Sequence, residues 1–503
     1  MLERKLYLYG ASLAVGVFAL LFAVNGFTHF DQNDHMYAAA PTFLPESTLY
    51  KELPFTQAPL SIHLYQWVYR VVGPTGYYAS LRALSILLLL FSGFLVFWTV
   101  KANASFTAAL GSFALFLASL HVGSASWEIG NYALSLALLS AAICCYFRKN
   151  RTLPIYALTG FFIGLASAVR LSFALFALPF AYSIVRKHGL FSKEAIVYAA
   201  MGVIGSGLIW YYLLIDPSSF LFFNIEFHFF TNELRELGPY GTTARILSGT
   251  SEFLVFMWLP IALAVYWALQ SKAAEAGETK RDLVLLAITA YGCAVSPAYM
   301  ANQYLAPLAA VICVFAGMAL PQALQLRIVG VRVLWLAFLV FCIPFGRLTF
   351  YSLERFADGR TSVAEVAIMS QKIDDTLNLH LDESKCSRRA LSMSPVPLLA
   401  ASVDLSKFGA TGVFTPQLAE ILAESAPQFA HHASLERELE LSPPAVILLG
   451  GFSAKLPEQK LMGYARRHEF MAFNLGNFDG RNSMTLLIRG DCVNREPSSR
   501  GGR

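Results

Sequence analysis

Apolar stretches long enough to cross the hydrocarbon core of a bilayer, which is about 30 Å thick, recur along the first 346 residues of this chain. Eleven of them lie near residues 6–26, 82–100, 105–122, 129–147, 153–169, 171–185, 195–214, 251–270, 283–299, 303–320 and 331–346. In lipid, a segment of this kind must satisfy its backbone hydrogen bonds internally, as an α-helix does. The sequence therefore predicts a polytopic all-α membrane protein with about 11 transmembrane helices.

The composition agrees with a membrane protein. Of 503 residues, 56% are hydrophobic and 14% are charged, whereas an ordinary soluble domain carries about 25% charged residues. A disordered chain and a disulfide scaffold are both excluded. The formal net charge of +5 fits the excess of Lys and Arg in cytoplasmic loops and is not concentrated in one stripe, so no nucleic-acid partner is predicted.

The basic residues predict the orientation of the chain. With a cytoplasmic N-terminus, fourteen Lys and Arg residues fall in cytoplasmic loops and six in the opposite loops, which is the expected asymmetry. The first apolar stretch has a basic head and no convincing cleavage site, so we interpret it as an uncleaved signal anchor. The apolar run 153–185 is interrupted only by Arg170. We count it as two spans, because a single span would place two basic loops on opposite sides of the membrane.

The prediction divides the chain into a transmembrane domain (1–346), a small extracytoplasmic α/β domain (347–492) and a disordered tail (493–503). Two long loops of the first domain, 27–80 and 215–250, lie outside the cytoplasm. In the second domain, strand-like segments at 445–451, 469–476 and 483–490 accompany a helical segment at 456–467. Cys386 and Cys492 lie near its two ends, and the sequence leaves open whether they form a disulfide.

An acidic pair lies where the first helix leaves the bilayer. Asp31 and Asp34 precede Tyr37 in this first external loop. A carboxylate at this place is costly to desolvate unless it has a task or a partner. The alternative is a pair of solvated loop carboxylates. Further along the same loop come Tyr50, Lys51, Pro54, Phe55 and Pro59.

The order of these residues resembles the GT-C superfamily of membrane glycosyltransferases, of the aminoarabinose and mannosyl transferase type, which use a polyprenyl-phosphate-linked sugar. Its members carry D-E-x-x-Y or D-x-x-Y in the first external loop, followed by Y-x-x-x-P-F and x-x-x-P. Three later segments also match, namely SASWEIGNY with Glu128, GFFIGLASAVRLS with Arg170, and FFNIEFHFF with Asn224, Glu226 and His228.

Two positions depart from the family pattern. Asn33 stands where the Asp of D-E-x-x-Y would be, so the choice between Asp34 and Asp31 as the catalytic acid stays open. The segment ANQYLAPLAA carries Gln303 where many relatives have Arg, which weakens the case for a second cationic phosphate contact.

The resemblance implies an inverting transfer of a sugar from a polyprenyl-phosphate-linked donor to a lipid, glycan or protein acceptor. Attack on the anomeric carbon needs a base, assigned to Asp34 with Asp31 as runner-up or partner, and a cation for the departing phosphate. Arg170 is the first candidate for the phosphate, although an arginine at a helix end can also snorkel to the interface. The other candidates for donor-phosphate binding are Lys51, Gln303 and Tyr304.

Glu128, Glu226 and His228 are the candidates for an acceptor site or second acidic site. The alternative for Glu128 is an acid that interacts favourably with the dipole at a helix N-terminus. The alternative for His228 is a structural histidine at the membrane interface. No cofactor is assigned with certainty, and a divalent cation held by Asp31, Asp34 or Glu128 is left open because no ligand spacing here is diagnostic.

Other classes of function are alternatives to the glycosyltransferase. A secondary transporter or flippase is the main alternative, although such folds place their charges near the bilayer midplane. A polysaccharide polymerase or ligase and a scaffold protein are weaker ones. The expected partners are the polyprenyl-phosphate sugar donor, a membrane lipid or glycan acceptor and the bilayer. The expected location is the bacterial inner membrane, with the N-terminus cytoplasmic and the C-terminal domain periplasmic.

Overall fold

The chain folds into two compact units. The helical unit comprises Met1–His29, Thr56–Ser61 and Arg82–Asp358, and the α/β unit comprises Phe30–Phe55, Ile62–Leu81 and Gly359–Arg503. The computed structural model describes residues 2–28, 32–44, 48–125, 128–229, 239–270, 274–296, 302–323, 331–392, 394–406, 435–441, 443–450, 455–478 and 482–494.

Most of the described residues are helical. In chain order the α-helices are α1 (Leu2–Thr28), α2 (Gln32–Phe43), α3 (Leu60–Val72), α4 (Pro74–Asn103), α5 (Phe106–Leu117), α6 (Leu120–Ser124), α7 (Tyr132–Tyr146), α8 (Leu153–Val169), α9 (Ala177–His188), α10 (Lys193–Gly205), α11 (Gly207–Ile215), α12 (Pro217–Leu221), α13 (Pro239–Phe256), α14 (Trp258–Gln270), α15 (Ala274–Val295), α16 (Ala306–Ala323), α17 (Val331–Ala357), α18 (Ser362–His380), α19 (Val396–Leu399), α20 (Leu435–Leu441) and α21 (Lys455–Arg467). Short 3₁₀ segments cover Leu171–Phe176, Asn302–Leu305 and Gly490–Cys492, and a π-helical turn covers Phe222–Glu226.

Each of the eleven predicted apolar stretches overlaps helical residues. In the described part of the chain, three helices are long and apolar enough to cross a membrane, Leu8–Thr28, Pro74–Asn103 and Gln303–Ala323. The number rises to six if each of three bent helix pairs is one span, as with Lys193–Gly205 and Gly207–Ile215, which meet at 58°. The mostly helical fold is therefore confirmed, whereas a count of about 11 spans is not.

The chain reverses direction at Arg170. α8 ends at Val169, and Arg170 has an extended backbone with φ −149° and ψ 114°. Tyr156 near the start of α8 hydrogen-bonds His188 at the end of α9, with 3.0 Å between the phenol oxygen and Nε2. The far ends of the two helices thus meet, which confirms a hairpin over 153–188 rather than one long helix.

Glycines bring α8 and α10 into backbone contact. A Cβ built on Gly160 would lie 2.1 Å from the Tyr198 carbonyl oxygen, and one on Gly164 would lie 2.2 Å from the Gly202 carbonyl oxygen. No larger residue fits at either position without moving the helices apart. Small residues spaced in this way allow membrane helices to pack closely. The G-x-x-x-G part of GFFIGLASAVRLS is therefore a packing surface.

A buried carboxylate joins three helices of the same unit. Asp282 of α15 is 3% exposed and accepts hydrogen bonds from the hydroxyls of Tyr146 on α7 (3.0 Å) and Ser183 on α9 (2.6 Å). The Arg281 guanidinium pairs with it at 2.8 Å. Because a buried charge is tolerated only with such partners, this network fixes the ends of the helices that carry the basic loops predicted to be cytoplasmic.

The α/β unit contains a five-stranded mixed sheet in the order β2-β1-β3-β5-β4. Its strands are β1 (Arg389–Ser392), β2 (Asp404–Leu405), β3 (Val446–Leu449), β4 (Phe470–Phe478) and β5 (Asn482–Arg489). β1 pairs in parallel with β2 and β3, whereas β5 is antiparallel to β3 and β4. Leu391, Ile447 and Leu487 pack with α21 in the core. The strands and the helix predicted over 445–490 are confirmed.

A disulfide closes this domain. Cys386 and Cys492 are bonded, with 5.5 Å between their Cα atoms and a sequence separation of 106. The neighbouring backbone is paired as well, since the Asp382 amide donates to the Cys492 carbonyl at 2.8 Å. The structure thereby answers the question that the sequence left open for these two cysteines.

Candidate active site

Asp34 lies in the first turn of α2, where the positive end of the helix dipole stabilises a carboxylate. Its side chain is fully buried. The hydroxyl of Tyr78, on the first turns of α4, donates a hydrogen bond to Asp34 Oδ2 at 3.0 Å. Hydrogen bonds to ionised groups are stronger than neutral ones, so Tyr78 fixes the orientation of this carboxylate. The other acid of the pair, Asp31, lies outside the described residues.

The motif residues of the first external loop pack together within the α/β unit. The ring of Tyr37, one turn after Asp34, meets Phe55 edge to face at 5.8 Å between ring centroids. It meets Tyr65 of α3 in the same way at 6.4 Å. All three side chains are buried. The Tyr of D-x-x-Y and the Phe of Y-x-x-x-P-F thus form one aromatic cluster that supports the Asp34 helix.

The Y-x-x-x-P-F motif begins in a strained turn. Tyr50 is buried and has φ +67°, a conformation that is uncommon for a bulky residue. Backbone hydrogen bonds hold it there, from the Tyr50 amide to the Leu53 carbonyl and from the Glu52 amide to the Thr48 carbonyl, both 2.9 Å. Lys51 lies at the tip of this turn, exposed to solvent.

Arg170 lies against two aromatic rings of the helical unit. Its Cζ is 4.2 Å from the ring centroid of Tyr132 and 4.7 Å from that of Tyr304, and the two rings stack with their centroids 5.4 Å apart. Its Nε also donates to Ser172 Oγ at 3.3 Å. A guanidinium on aromatic faces keeps its charge and its planar set of donors. Gln303, next to Tyr304, is half-buried.

Glu128 belongs to the same unit and is 3% exposed. Its carboxylate folds over Gly130, where a Cβ would lie 3.4 Å from Oε1. Three residues further on, the Asn131 side-chain amide donates to Gln57 Oε1 at 2.8 Å. This bond ties the start of α7 to the short segment Thr56–Ser61 of the helical unit.

The two candidates from FFNIEFHFF, Glu226 and His228, and the neighbouring Asn224 have different surroundings. His228 Nε2 lies 2.9 Å from the Thr56 carbonyl oxygen, which is a structural contact. The Asn224 side chain is buried and donates to the Phe220 carbonyl at 3.0 Å. Glu226 is exposed. The roles of Glu226 and His228 at an acceptor site stay predictions.

The structure assigns the site residues to both units. Asp34 and Lys51 belong to the α/β unit, whereas the rest belong to the helical unit, Glu128, Arg170, Glu226, His228, Gln303 and Tyr304. Sequence reasoning missed Tyr78 and the arginine's second ring, Tyr132. No signal in the chain pairs them with Asp34 or Arg170, because both depend on contacts between residues far apart in sequence.

A divalent cation held by Asp31, Asp34 or Glu128 stays a prediction. Asp31 lies outside the described residues, Asp34 belongs to the α/β unit and Glu128 to the helical unit. In the described part of the chain, the group of three metal-type ligands close enough to share an ion is Cys386, Asp491 and Cys492. The two sulfurs are bonded to each other, so they do not supply thiolates to a metal.

Comparison with solved structures identifies the fold. ArnT from Cupriavidus metallidurans, bound to undecaprenyl phosphate, is similar to this chain with a TM-score of 0.54 and 11% identity over 94% of this chain and 97% of that chain. Its apo state gives 0.52 and 13% with the same coverage. The apo oligosaccharyltransferase from Archaeoglobus fulgidus gives 0.44 and 12% over 88% of this chain and 69% of that chain. No protein-family model matches the sequence, and no curated protein is similar to it by sequence.

ArnT, an aminoarabinose transferase, is a GT-C glycosyltransferase. The likeness extends over nearly the whole of both chains. This protein therefore has the GT-C fold, which the motif order in its first external loop predicts.

Proposed function

We propose that this protein is an integral membrane glycosyltransferase that takes a sugar from a polyprenyl-phosphate-linked donor. The observation that carries the proposal is the GT-C fold over 94% of the chain, shared with a transferase whose structure contains undecaprenyl phosphate. The order of the D-x-x-Y, Y-x-x-x-P-F and arginine motifs supports the same function. The acceptor is a lipid, glycan or protein hydroxyl on the extracytoplasmic face.

The reaction is a direct displacement at the anomeric carbon. The acceptor oxygen forms a bond to that carbon while the bond from the carbon to the phosphate oxygen breaks. The electron pair of the broken bond stays on the polyprenyl phosphate, and the acceptor hydroxyl proton moves to a base. A single displacement inverts the anomeric centre.

Asp34 is the proposed base. Its burial in the first turn of α2 and its hydrogen bond from Tyr78 hold the carboxylate in one orientation, as general-base catalysis requires. Arg170 is the proposed contact for the donor phosphate, because the rings of Tyr132 and Tyr304 hold its guanidinium in place and a guanidinium suits phosphate geometry. Glu128 is proposed to orient the acceptor, and Glu226 and His228 are proposed to line the groove that binds it.

The test is the rate of polyprenyl-phosphate release from a lipid-linked sugar by purified protein supplied with a membrane glycolipid extract. Asp34→Asn is expected to lower the rate by about 10²-fold or more, the size of a lost general base. Arg170→Ala is expected to weaken donor use. The matched control is Asp375→Asn, which alters an exposed carboxylate of α18. Equal rates for Asp34→Asn and Asp375→Asn would contradict the assignment of the base.

A further inference from the structure

The C-terminal domain contacts the helix that carries the proposed base. His35 follows Asp34 in α2 and is fully buried. Its Nδ1 accepts a hydrogen bond from the backbone amide of Val396 at 3.3 Å. Burial lowers the pKa of His35 to about 3, so the ring is neutral near pH 7 and Nδ1 keeps the lone pair that this bond needs.

The amide that His35 accepts from has no partner within its own helix. Val396 is the first residue of α19, and the first amides of a helix lack intrahelical acceptors. No side chain at the preceding residue, Pro395, caps this end. His35 therefore acts as the cap of α19 from a segment 361 residues earlier in the chain.

α19 is itself fixed to the rest of the domain. Ser370 of α18 donates to the Pro397 carbonyl at 2.5 Å, and the Ser402 amide donates to Asp374 Oδ1 at 2.8 Å. The segment before α19 is bonded to the sheet, since the Ser394 amide donates to Ser392 Oγ of β1 at 2.9 Å and Ser392 donates to the Leu448 carbonyl of β3 at 3.0 Å. The partner of His35 thus lies in a segment that is hydrogen-bonded to α18 and to the sheet.

We propose that His35 is a positioning residue through which the C-terminal α/β domain holds the first turn of α2, and with it the Asp34 carboxylate, in its working orientation. This inference rests on the proposed function for its catalytic consequence. It gives the domain a task that the sequence does not reveal, which is to support the catalytic loop. A displacement of about 1 Å at a reacting group can cost about 10²-fold in rate, so one well-placed hydrogen bond has a large effect.

The experiment compares wild-type protein with His35→Leu, His35→Asn and His380→Leu. Leu removes the hydrogen-bond acceptor. Asn restores it, because its amide oxygen lies as many bonds from Cα as Nδ1 of histidine does. His380, whose ring stacks on Phe473 at 4.4 Å between centroids, is the control for general loss of stability. Hydrogen exchange is measured by mass spectrometry on peptides covering 32–43 and 396–399, and kcat and the donor KM are measured on the same samples.

In His35→Leu, exchange in α2 and α19 is expected to be about fivefold faster, the effect of one lost hydrogen bond. His35→Asn is expected to restore the wild-type pattern, and His380→Leu to leave α2 unchanged. The kcat of His35→Leu is expected to fall by about 10-fold or more while the donor KM stays within about threefold, since only the orientation of the base changes.

Unchanged exchange in α2 of His35→Leu would overturn the inference, whatever the activity. Faster exchange with an unchanged kcat would show a structural bond without a catalytic role and would also overturn it. If His35→Leu does not fold, Ser370→Ala, which releases α19 from α18, must raise exchange in α2. A wild-type protein that consumes no donor would defeat the proposed function, while the exchange data would still test the contact.

Discussion

Asp34 and Tyr78 lie 44 residues apart in sequence and are joined by a hydrogen bond of 3.0 Å. The motif D-x-x-Y was sufficient to select Asp34 and Tyr37 from the sequence. It was not sufficient to find Tyr78, because the motif reports only residues within one helical turn. The hydrogen bond from the Tyr78 hydroxyl favours one orientation of the Asp34 carboxylate. Its loss is therefore expected to change the rate of donor consumption.

Tyr78→Phe is expected to lower the rate of donor consumption by about 10-fold, the order of magnitude for one hydrogen bond to a charged group. Tyr69→Phe is the matched control, since Tyr69 packs edge to face on Tyr77 in the same unit. The rate is measured as release of polyprenyl phosphate at saturating donor. Equal rates for the two variants would mean that the Tyr78 hydroxyl does not orient the base.

His35 gives the protein a pH dependence of stability. Its pKa is about 3 in the folded chain against an ordinary 6.5, because burial disfavours the charged ring. Between these values the unfolded chain binds one more proton, so stability is complete above pH 6.5, falls as pH is lowered toward 3, and levels off below that. The slope is about 1.4 kcal/mol per pH unit.

The midpoint of thermal unfolding is therefore expected to fall more between pH 7.5 and pH 5 in wild-type protein than in His35→Asn, which has no titrating ring. Over this pH range, the free energy of unfolding is expected to fall by roughly 2 kcal/mol more in wild-type protein than in His35→Asn. Identical pH profiles would contradict the burial of a neutral histidine at this position. The comparison removes the contribution of the carboxylates, which both proteins share.

At the scale of helices, the sequence predicted most elements and left their packing open. The length of the apolar stretches located the helices. The need to keep two basic loops on the same side of the membrane predicted the reversal at Arg170, which the hydrogen bond between Tyr156 and His188 confirms. The count of about 11 spans is not confirmed, because three described helices, or six with each bent pair taken as one span, are long and apolar enough to cross a membrane. The role of the G-x-x-x-G residues in packing could not be predicted without their partner helix.

Gly164→Ala is expected to destabilise the protein by about 1–3 kcal/mol, as overpacking does, because its Cβ would collide with the Gly202 carbonyl oxygen at 2.2 Å. Gly207→Ala is the matched control, since no atom lies within 4 Å of a Cβ there. The measurement is the thermal unfolding midpoint of each purified variant. A midpoint for Gly164→Ala equal to that of Gly207→Ala would show that α8 and α10 do not pack closely.

At the scale of the whole molecule, the disulfide bears on which side of the membrane the α/β unit faces. A disulfide persists in an oxidising compartment and is rare in the cytosol. The bond between Cys386 and Cys492 therefore supports the predicted extracytoplasmic orientation of residues 347–492, which stays a prediction. The pairing could not be derived from spacing alone, because the distance between two cysteines depends on the fold of the 105 residues between them.

In cells, the thiols of Cys386 and Cys492 are expected to resist a maleimide probe until a reductant is added. Cys386→Ser is expected to lower the unfolding midpoint of the α/β unit, since closing a loop of about 100 residues stabilises by at most about 5 kcal/mol. Cys145→Ser, at a free cysteine of α7, is the control. Labelling of both thiols without reductant would contradict the disulfide and the orientation inferred from it.

The proposed function is the transfer of a sugar from a polyprenyl-phosphate-linked donor. The most direct measurement follows a labelled donor in proteoliposomes that also contain a membrane glycolipid acceptor. Each molecule of glycosylated acceptor is expected to be accompanied by one molecule of polyprenyl phosphate, and Asp34→Asn is expected to form both about 10²-fold more slowly or worse. Transport of the labelled lipid or sugar across the membrane with the donor intact would contradict the account and favour a flippase or transporter.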